Sequence, residues 1–201
     1  MKYIDTMLML SKVFYQIVKK YVKDSILEIG AGSGVFINHL KGKKFIDVPG
    51  IDLLPKHEDV HYGDVTSLTI NNESFDTIFA TEVVEHLTDE QLPLAIKSIF
   101  RILKPKGHFV FSVPFQEDFR INHIVCPNCQ HEFHRYGHYQ VFTHQRVQEL
   151  LNEYGFKVVF CKIYALGAMA KIPLGRFFNF IFKKINFESV AKTMVVVCKK
   201  K

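Results

Sequence analysis

Apolar residues along this chain alternate between short continuous runs and longer segments with helical spacing. Ile26, Leu27 and Ile29 form the first short run, which is typical of a parallel strand covered on both faces. Segments with an apolar stripe on one helical face lie at 3–21, 33–40, 91–103 and 144–154. Further strands are predicted at 45–53, 60–65, 75–80, 103–114, 156–163 and 193–199. This order of elements predicts an α/β fold with helices packed against a mostly parallel sheet.

Three glycines at alternate positions follow the first predicted strand: Gly30, Gly32 and Gly34. Glycine permits a sharp turn there and lets a ligand approach bare backbone, so strand, turn and helix form the first unit of a nucleotide-binding fold. A dinucleotide-binding dehydrogenase is the competing interpretation, but its third glycine would stand where this chain has Val35. Glu28 also argues against a pyrophosphate, because a carboxylate at this position suits a cationic ligand group.

The next two predicted strands each end in an acid. Asp52 lies about 20 residues past the glycine loop, where a carboxylate accepts ribose hydroxyls in nucleotide-binding folds. Asp64 lies near the end of the run 60–65 and is placed to accept a hydrogen bond from an adenine amine. A strand-end turn or a helix cap is the structural alternative for each carboxylate.

Two later motifs complete the pattern: Glu-Val-Val-Glu-His-Leu at 82–87 and Leu-Lys-Pro-Lys-Gly at 103–107. With the glycine loop and Asp52, they resemble the motifs of class I S-adenosylmethionine-dependent methyltransferases, closest to the small-molecule, type 11-like branch, over residues 22–160. The resemblance implies a Rossmann-like, seven-stranded, mostly parallel sheet with helices on both faces and an antiparallel C-terminal hairpin. It also implies S-adenosylmethionine as cofactor, contacted by Glu28, Gly30, Gly32, Gly34, Asp52, Leu53, Asp64, Val65 and Thr81.

Length and composition indicate one methyltransferase domain over 1–201, because 201 residues with 48% hydrophobic content form a full core and leave no room for a substrate domain. The domain includes a Cys/His-rich insertion at 115–142 and an aromatic and basic insertion at 164–190. The first ten residues lack the apolar stretch and cleavage site of a signal peptide. We therefore expect a cytoplasmic protein, with peripheral membrane attachment as an option.

Positive charge is concentrated in the C-terminal region. Residues 1–156 hold 16 basic and 19 acidic side chains, whereas 157–201 hold ten basic side chains and one acidic one, Glu188. Such asymmetry suggests a nearby anionic surface, either lipid headgroups or nucleic acid, or else a solvated basic rim. The insertion 164–190 is interrupted by charge too soon for a transmembrane span. It fits an interfacial lid over a lipid-linked substrate, or a cover for the sheet edge or a dimer interface, and its phenylalanines are Phe177, Phe178, Phe180, Phe182 and Phe187.

Cys126, Cys129, His134 and His138 form the pattern Cys-x₂-Cys-x₄-His-x₃-His. Two thiolates and two imidazoles within thirteen residues favour a structural, tetrahedral zinc ion that orders a loop poor in apolar residues. His131 is an alternative to either histidine. Free thiols and a disulfide are the alternatives for the cysteines, and the disulfide is disfavoured in a reducing cytoplasm.

Glu82, Glu85 and His86 resemble the Glu-x-x-Glu-His motif of small-RNA 3′-end 2′-O-methyltransferases and of some quinone-pathway O-methyltransferases. In those enzymes the motif and a later histidine hold a divalent ion, and His138 would be that histidine here. Without a metal, the two carboxylates would start a helix, and His86 would either pack behind the site or act as a base near the acceptor, with His138 as a second candidate base. Glu82 and His86 are the predicted catalytic residues.

Methyl transfer is an in-line displacement on a carbon that the sulfonium already activates. The enzyme therefore supplies alignment, plus a base when the acceptor is a hydroxyl. No Asn-Pro-Pro-Tyr-type signature of amide or adenine N-methylation follows the fourth predicted strand. The sequence predicts O-methylation of a small or lipid-linked metabolite. The alternative is an RNA-binding protein or RNA 2′-O-methyltransferase that uses the basic C-terminal region and the Glu-x-x-Glu-His motif. The oligomeric state is left open.

Overall fold

The computed structural model describes the backbone of residues 2–171 and 192–201, and the side chains of 5–170 and 192–201. Its strands are β1 (Ile26–Ile29), β2 (Gly50–Asp52), β3 (Val60–Tyr62), β4 (Phe75–Thr81), β5 (Leu103–Pro114), β6 (His123–Val125), β7 (Glu132–His134), β8 (Phe156–Tyr164) and β9 (Thr193–Lys200). Its α-helices are α1 (Lys2–Val18), α2 (Val35–Lys41), α3 (Gln91–Ile102), α4 (His144–Glu153) and α5 (Leu166–Lys171). Short 3₁₀ turns cover Lys19–Tyr21 and Val84–His86.

Seven strands form one sheet in the order β3-β2-β1-β4-β5-β9-β8. The first five run parallel, and β9 pairs antiparallel with both β5 and β8. The predicted Rossmann-like sheet with an antiparallel C-terminal hairpin is confirmed. After β1 the chain builds one edge through β2 and β3, then returns to the other side of β1 with β4. This reversal between β1 and β4 makes a crevice at their carboxyl ends, where ligands bind in open α/β sheets.

Each face of the sheet buries its own apolar cluster, because alternate side chains of a strand point to opposite faces. On one face, Phe14 of α1 and Phe36 of α2 pack on Phe79 of β4, and the rings of Phe36 and Phe79 lie 4.9 Å apart, edge to face. On the other face, Ile96 of α3 and Leu151 of α4 belong to a second buried cluster. The predicted amphipathic helices therefore cover both faces.

Several element boundaries differ from those predicted. Strand β2 begins only at Gly50, because Pro49 has no N–H to donate to a ladder, although its carbonyl accepts a hydrogen bond from Glu28 N (3.0 Å). Strand β3 ends at Tyr62, so Asp64 and Val65 lie beyond it in a loop. Helix α4 begins as predicted, with Thr143 Oγ1 accepting from Arg146 N (3.1 Å).

The two predicted insertions have different outcomes. Residues 115–142 contain the separate antiparallel hairpin of β6 and β7, where no regular structure was predicted. Within 164–190, the structure describes α5 but none of the five phenylalanines, which lie outside the described residues. No helix in the described ranges has the length and apolar character needed to cross a membrane.

Replacing Phe79 by alanine should destabilise the protein by about 3–5 kcal/mol, because the fully buried ring would leave a cavity between α1, α2 and the sheet. Urea unfolding followed by circular dichroism measures the change. Ile46→Ala is the matched control: its side chain is exposed, so the free energy of unfolding should change by less than about 0.5 kcal/mol. Equal effects from the two variants would contradict this description of the core.

Candidate active site

The glycine loop lies against the segment that follows β4. Gly30 has a φ of +72°, and a Cβ there would lie 2.3 Å from Val83 Cγ2. Gly34 has a φ of +68°, and a Cβ there would lie 2.5 Å from the His57 ring. Gly32 differs, since a Cβ there would meet only Asp52 Oδ2, at 3.8 Å. The loop is therefore packed at its two ends and open in the middle, where a ligand has access to backbone.

Asp52 ends β2 beside this opening. Its Oδ2 accepts a hydrogen bond from Gly32 N (2.9 Å), and its Oδ1 accepts one from Leu54 N (2.8 Å). The next side chain, Leu53, is 58% exposed. The structure thus brings three of the predicted cofactor residues to one edge of the sheet.

Asp64 and Val65 have local structural contacts. Asp64 Oδ1 accepts hydrogen bonds from the N–H (2.8 Å) and the hydroxyl (2.7 Å) of Thr66, which is a strand-end turn of the kind considered above. Val65 is buried and packs in the core on the α3 side of the sheet. Both residues follow β3 at the same edge as Asp52, and Asp64 keeps its second carboxylate oxygen for another partner.

Glu28 is buried within β1. Its carboxylate accepts a hydrogen bond from the N–H of Ile37, in the first turn of α2, where backbone donors lack intrahelical acceptors. Its other oxygen, Oε2, has no hydrogen-bond partner in the described chain. Burial raises the pKa of Glu28 well above its ordinary value, and the nearby Asp52 carboxylate raises it further.

An acidic pair follows β4, which ends at Thr81; Glu85 is buried, whereas Glu82 is accessible from the cavity described below. Glu82 has a φ of +53°, and its Oε1 accepts a hydrogen bond from Ser112 Oγ at the end of β5 (2.7 Å). Glu85 is fully buried, and neither of its carboxylate oxygens receives a hydrogen bond from an N–H or hydroxyl group of the described residues. Burial and the Glu82 carboxylate raise the pKa of Glu85 to about 9. An acid so placed favours a proton or a cation beside it.

Two histidines complete this cluster, with ring centroids 4.8 Å apart. His86 Nδ1 lies 3.1 Å from the carbonyl of Gly137, which only accepts, so Nδ1 carries the proton and Nε2 keeps a lone pair. His138 Nδ1 lies 2.5 Å from Glu117 Oε2, which orients that ring in the same tautomer. The donor atoms of Glu85, His86 and His138 lie within 4.8 Å of one another.

Main-chain hydrogen bonds fix the distance between the two histidines. The carbonyl of Glu85 accepts from Tyr139 N (2.8 Å) and Gln140 N (3.1 Å). The side chain of Gln140 donates to the carbonyl of Leu87 (2.8 Å). The Glu-x-x-Glu-His segment and the end of the 115–142 insertion are therefore held as one unit.

Glu117 is a site residue that the sequence analysis missed. It contacts His138 and also His134, whose Nε2 lies 3.3 Å from Glu117 Oε1 without hydrogen-bond alignment. His134 Nδ1 accepts from the N–H of His138 (3.2 Å). The donor atoms of Glu117, His134 and His138 form a second group within 4.8 Å. The signal was the position of Glu117 just past the end of β5, matching the acids that follow the other parallel strands.

The structure does not bring together Cys126, Cys129, His134 and His138, the residues of the predicted four-ligand zinc site. Antiparallel pairing places Cys126 opposite His131, at the tip of the β6–β7 hairpin, and His134 opposite His123, at its base. His131 and His134 are three residues apart, or about 10 Å at roughly 3.4 Å per residue, and point to opposite faces of the hairpin. No group of potential metal ligands in the described ranges contains either cysteine. His134 and His138 instead face Glu117.

A cavity of about 1000 Å³ opens beside the buried cluster. Its walls combine acidic, imidazole and aromatic side chains, among them Glu82, His86, Phe115, Glu117, Tyr136 and His138. This volume is at the upper end of the range for small-molecule sites. The cavity therefore joins the predicted catalytic residues to a space for a second ligand.

Comparison with known proteins agrees with this geometry. A family described as a methyltransferase domain matches residues 10–160. Phosphoethanolamine N-methyltransferase 1 of Triticum aestivum is 31% identical over 111 residues, which span 46% of this chain but only 22% of that enzyme. An S-adenosylmethionine-dependent methyltransferase of Methanosarcina mazei has a similar fold (TM-score 0.67, 20% identity, 92% of this chain and 97% of that one). The fold is also similar to that of the Burkholderia thailandensis 1,6-didemethyltoxoflavin-N1-methyltransferase, which was solved with bound 1,6-didemethyltoxoflavin and S-adenosylhomocysteine. The TM-score is 0.64 at 16% identity, and the match covers 96% of this chain and 78% of that one.

Glu28→Gln should reduce the pH dependence of stability. Because the folded-state pKa of Glu28 is raised, its folded carboxyl holds a proton that the unfolded chain releases above about pH 4.5, so stability falls as pH rises from there towards the folded pKa. Glutamine keeps the hydrogen bond from Ile37 and removes this loss, which has a slope of at most about 1.4 kcal/mol per pH unit.

The measurement is the free energy of unfolding of cofactor-free protein between pH 5 and pH 8. The variant should gain stability relative to the wild type as pH rises, whereas Glu58→Gln at an exposed position should track the wild type. A constant difference between Glu28→Gln and wild type across this range would show that Glu28 does not hold the proton.

Proposed function

Because the chain belongs to the class I S-adenosylmethionine-dependent methyltransferases, we propose that it methylates an oxygen atom of a small-molecule acceptor held in the cavity beside His86 and His138. The observation that carries this proposal is the group of Glu85, His86 and His138: both histidines line that cavity, and Glu85 lies two residues after Val83, which meets the glycine loop. It would bring an acceptor hydroxyl and the methyl donor to adjoining ends of β1 and β4. The phosphoethanolamine and didemethyltoxoflavin methyltransferases also have small acceptors by name, although their names specify nitrogen.

S-adenosylmethionine would lie along the carboxyl ends of β1, β2 and β4. The open space at Gly32 fits close approach of the cofactor to the backbone, and the unpartnered oxygen of Glu28 fits its cationic amino group. Asp52 would accept from the ribose hydroxyls. The exposed side chain of Leu53 would cover the adenine, whose amine would meet the free oxygen of Asp64. The cofactor pocket would also be formed by the remaining predicted residues, which are Gly30, Gly34, Val65 and Thr81.

The buried cluster also fits a divalent cation. Glu85 offers unpartnered oxygens, and the lone pairs at Nε2 of His86 and His138 remain free because their Nδ1 atoms are bound to Gly137 and Glu117. A second partner on each ligating imidazole is the usual arrangement around a metal in proteins. When bound, the ion would lower the pKa of the acceptor hydroxyl.

Glu82 would accept the acceptor's proton. Its carboxylate lines the cavity, Ser112 Oγ orients it, and burial raises its pKa, which makes it a stronger base than an exposed carboxylate. His86 would hold the cation and so fix the acceptor oxygen. Tyr136 and Phe115 would supply the apolar walls against which the rest of the acceptor packs.

Asp52→Ala should weaken S-adenosylhomocysteine binding about 10- to 100-fold. The variant removes charge-assisted hydrogen bonding to the ribose, worth about 1.5–3 kcal/mol in total, and frees the Gly32 N–H. Titration calorimetry measures the dissociation constant, and Asp47→Ala, at an exposed position, should leave it unchanged. Absence of binding by the wild-type protein would refute the proposed cofactor site.

Glu85→Gln should reduce methyl transfer at least about 100-fold while S-adenosylhomocysteine binding stays within about threefold, because Glu85 belongs to the acceptor side of the site. The assay follows labelled methyl groups from S-adenosylmethionine into small-molecule and lipid fractions of a cell extract. Glu90→Gln, at an exposed position, is the matched control. Label that enters only nucleic acid or protein would reject a small-molecule acceptor.

A further inference from the structure

The tip of the β6–β7 hairpin has the backbone geometry of a metal-binding knuckle. The N–H groups of Asn128 and Cys129 donate to the sulfur of Cys126, and the Cys129 thiol lies within hydrogen-bonding distance of the same sulfur. Gln130 has a φ of +57°, which lets its N–H return to the carbonyl of Cys126 (2.9 Å). Cys126 N in turn donates to the carbonyl of His131 (2.8 Å). The turn holds two thiols together with donors directed at one of them.

This knuckle supplies two ligands, whereas zinc bound by cysteine takes four. The His131 ring stacks on Phe133 (centroids 6.0 Å apart, planes at 15°) and forms no ligand group with the thiols among the described residues. Cys161 and Cys198 lie in β8 and β9 of the main sheet. Residues 172–191 contain neither cysteine nor histidine. Further thiolate or imidazole ligands must therefore come from another molecule.

The hairpin is placed to meet another molecule. Its two strands form a sheet separate from the seven-stranded one, and Cys129 at its tip is exposed. Val125 and Phe133, next to the tip, are 44% and 42% exposed. On the face that carries Val125, His123 Nε2 lies 3.1 Å from Glu132 Oε2 across the hairpin.

We propose that two copies of this chain share one zinc ion, held by Cys126 and Cys129 of each copy. A two-fold axis through the ion relates the two knuckles and gives the four sulfur ligands of a closed tetrahedral site. A second copy is favoured over a different protein because each hairpin supplies half of the ligand set.

Binding requires that the thiols release their protons to solvent, and no change of oxidation state occurs. The shared ion would also fix the base of the hairpin, where Arg135 N donates to the carbonyl of Asn122 (2.7 Å) and Asn122 Nδ2 donates to Glu117 Oε1 (3.0 Å). The proposal does not depend on which acceptor is methylated.

Light scattering and elemental analysis of the full chain, purified without chelator, test the proposal. We expect a mass twice that of the 23.3 kDa chain. Cys126→Ser and Cys129→Ser should each be monomeric and contain less zinc than the wild type by about half an ion per chain. Neither variant alters Glu85, so an ion bound there contributes equally to both proteins and cancels in the difference in zinc content. Cys161→Ser, which removes a thiol of the main sheet, should behave as wild type.

S-adenosylhomocysteine binding by the cysteine variants checks their folding, and a chelator titration of the wild type gives a second measurement without mutation. Removal of zinc should convert the dimer to monomer, and added zinc should restore it. A monomer with one zinc ion per chain at the cysteines, a zinc-free protein, or a Cys126–Cys129 disulfide in protein purified under reducing conditions would each overturn the proposal.

Discussion

The contact between Gly30 and Val83 is the constraint on which the rest of the site depends. The glycine loop ends β1, Val83 follows β4, and these neighbouring parallel strands finish at the same edge of the sheet. A side chain on Gly30 would separate the two segments, since even a Cβ would lie 2.3 Å from Val83. The loop on the cofactor side and the acidic segment on the acceptor side are thus in direct contact. In the proposed function, this backbone contact would hold the methyl donor and the acceptor close together before any catalytic side chain is considered.

Buried carboxylates mark both sides of this contact. Glu28 and Glu85 each leave at least one oxygen without a hydrogen-bond partner in the described chain, and burial raises the pKa of both. Such groups oppose folding when they are ionised, because the protein interior solvates charge poorly. Their arrangement makes sense if positive charge enters the site with the ligands. The proposed cofactor and cation would then relieve the electrostatic cost of these buried carboxylates.

Much of this architecture could be predicted from the sequence, because parallel strands and glycine turns depend on local patterns. Strands β1, β4 and β5 and the helix cap at Thr143 depend on residues close together in the sequence. The structure forms them where the sequence pattern predicts them. The structure does not support the predicted four-ligand zinc set, because ligand spacing along the chain does not reveal that hairpin pairing separates Cys126 from His134. Glu117 was missed because its partners are 17 and 21 residues away and meet it only after the insertion folds back. For Asp64, the sequence allows both a local strand-end turn and a hydrogen bond to adenine, and it does not choose between these two roles.

The two hydrogen bonds at Asp52 have a consequence for selectivity. Gly32 N and Leu54 N hold the carboxylate in place while each oxygen keeps a second lone pair. In the proposed cofactor site, a ribose with two adjacent hydroxyls would find both acceptors already oriented, so little conformational entropy would be lost when it binds. An analogue that lacks one hydroxyl would leave one of these acceptors desolvated and unpaired. The proposed site would therefore distinguish ribose from deoxyribose through acceptors that are fixed before the ligand arrives.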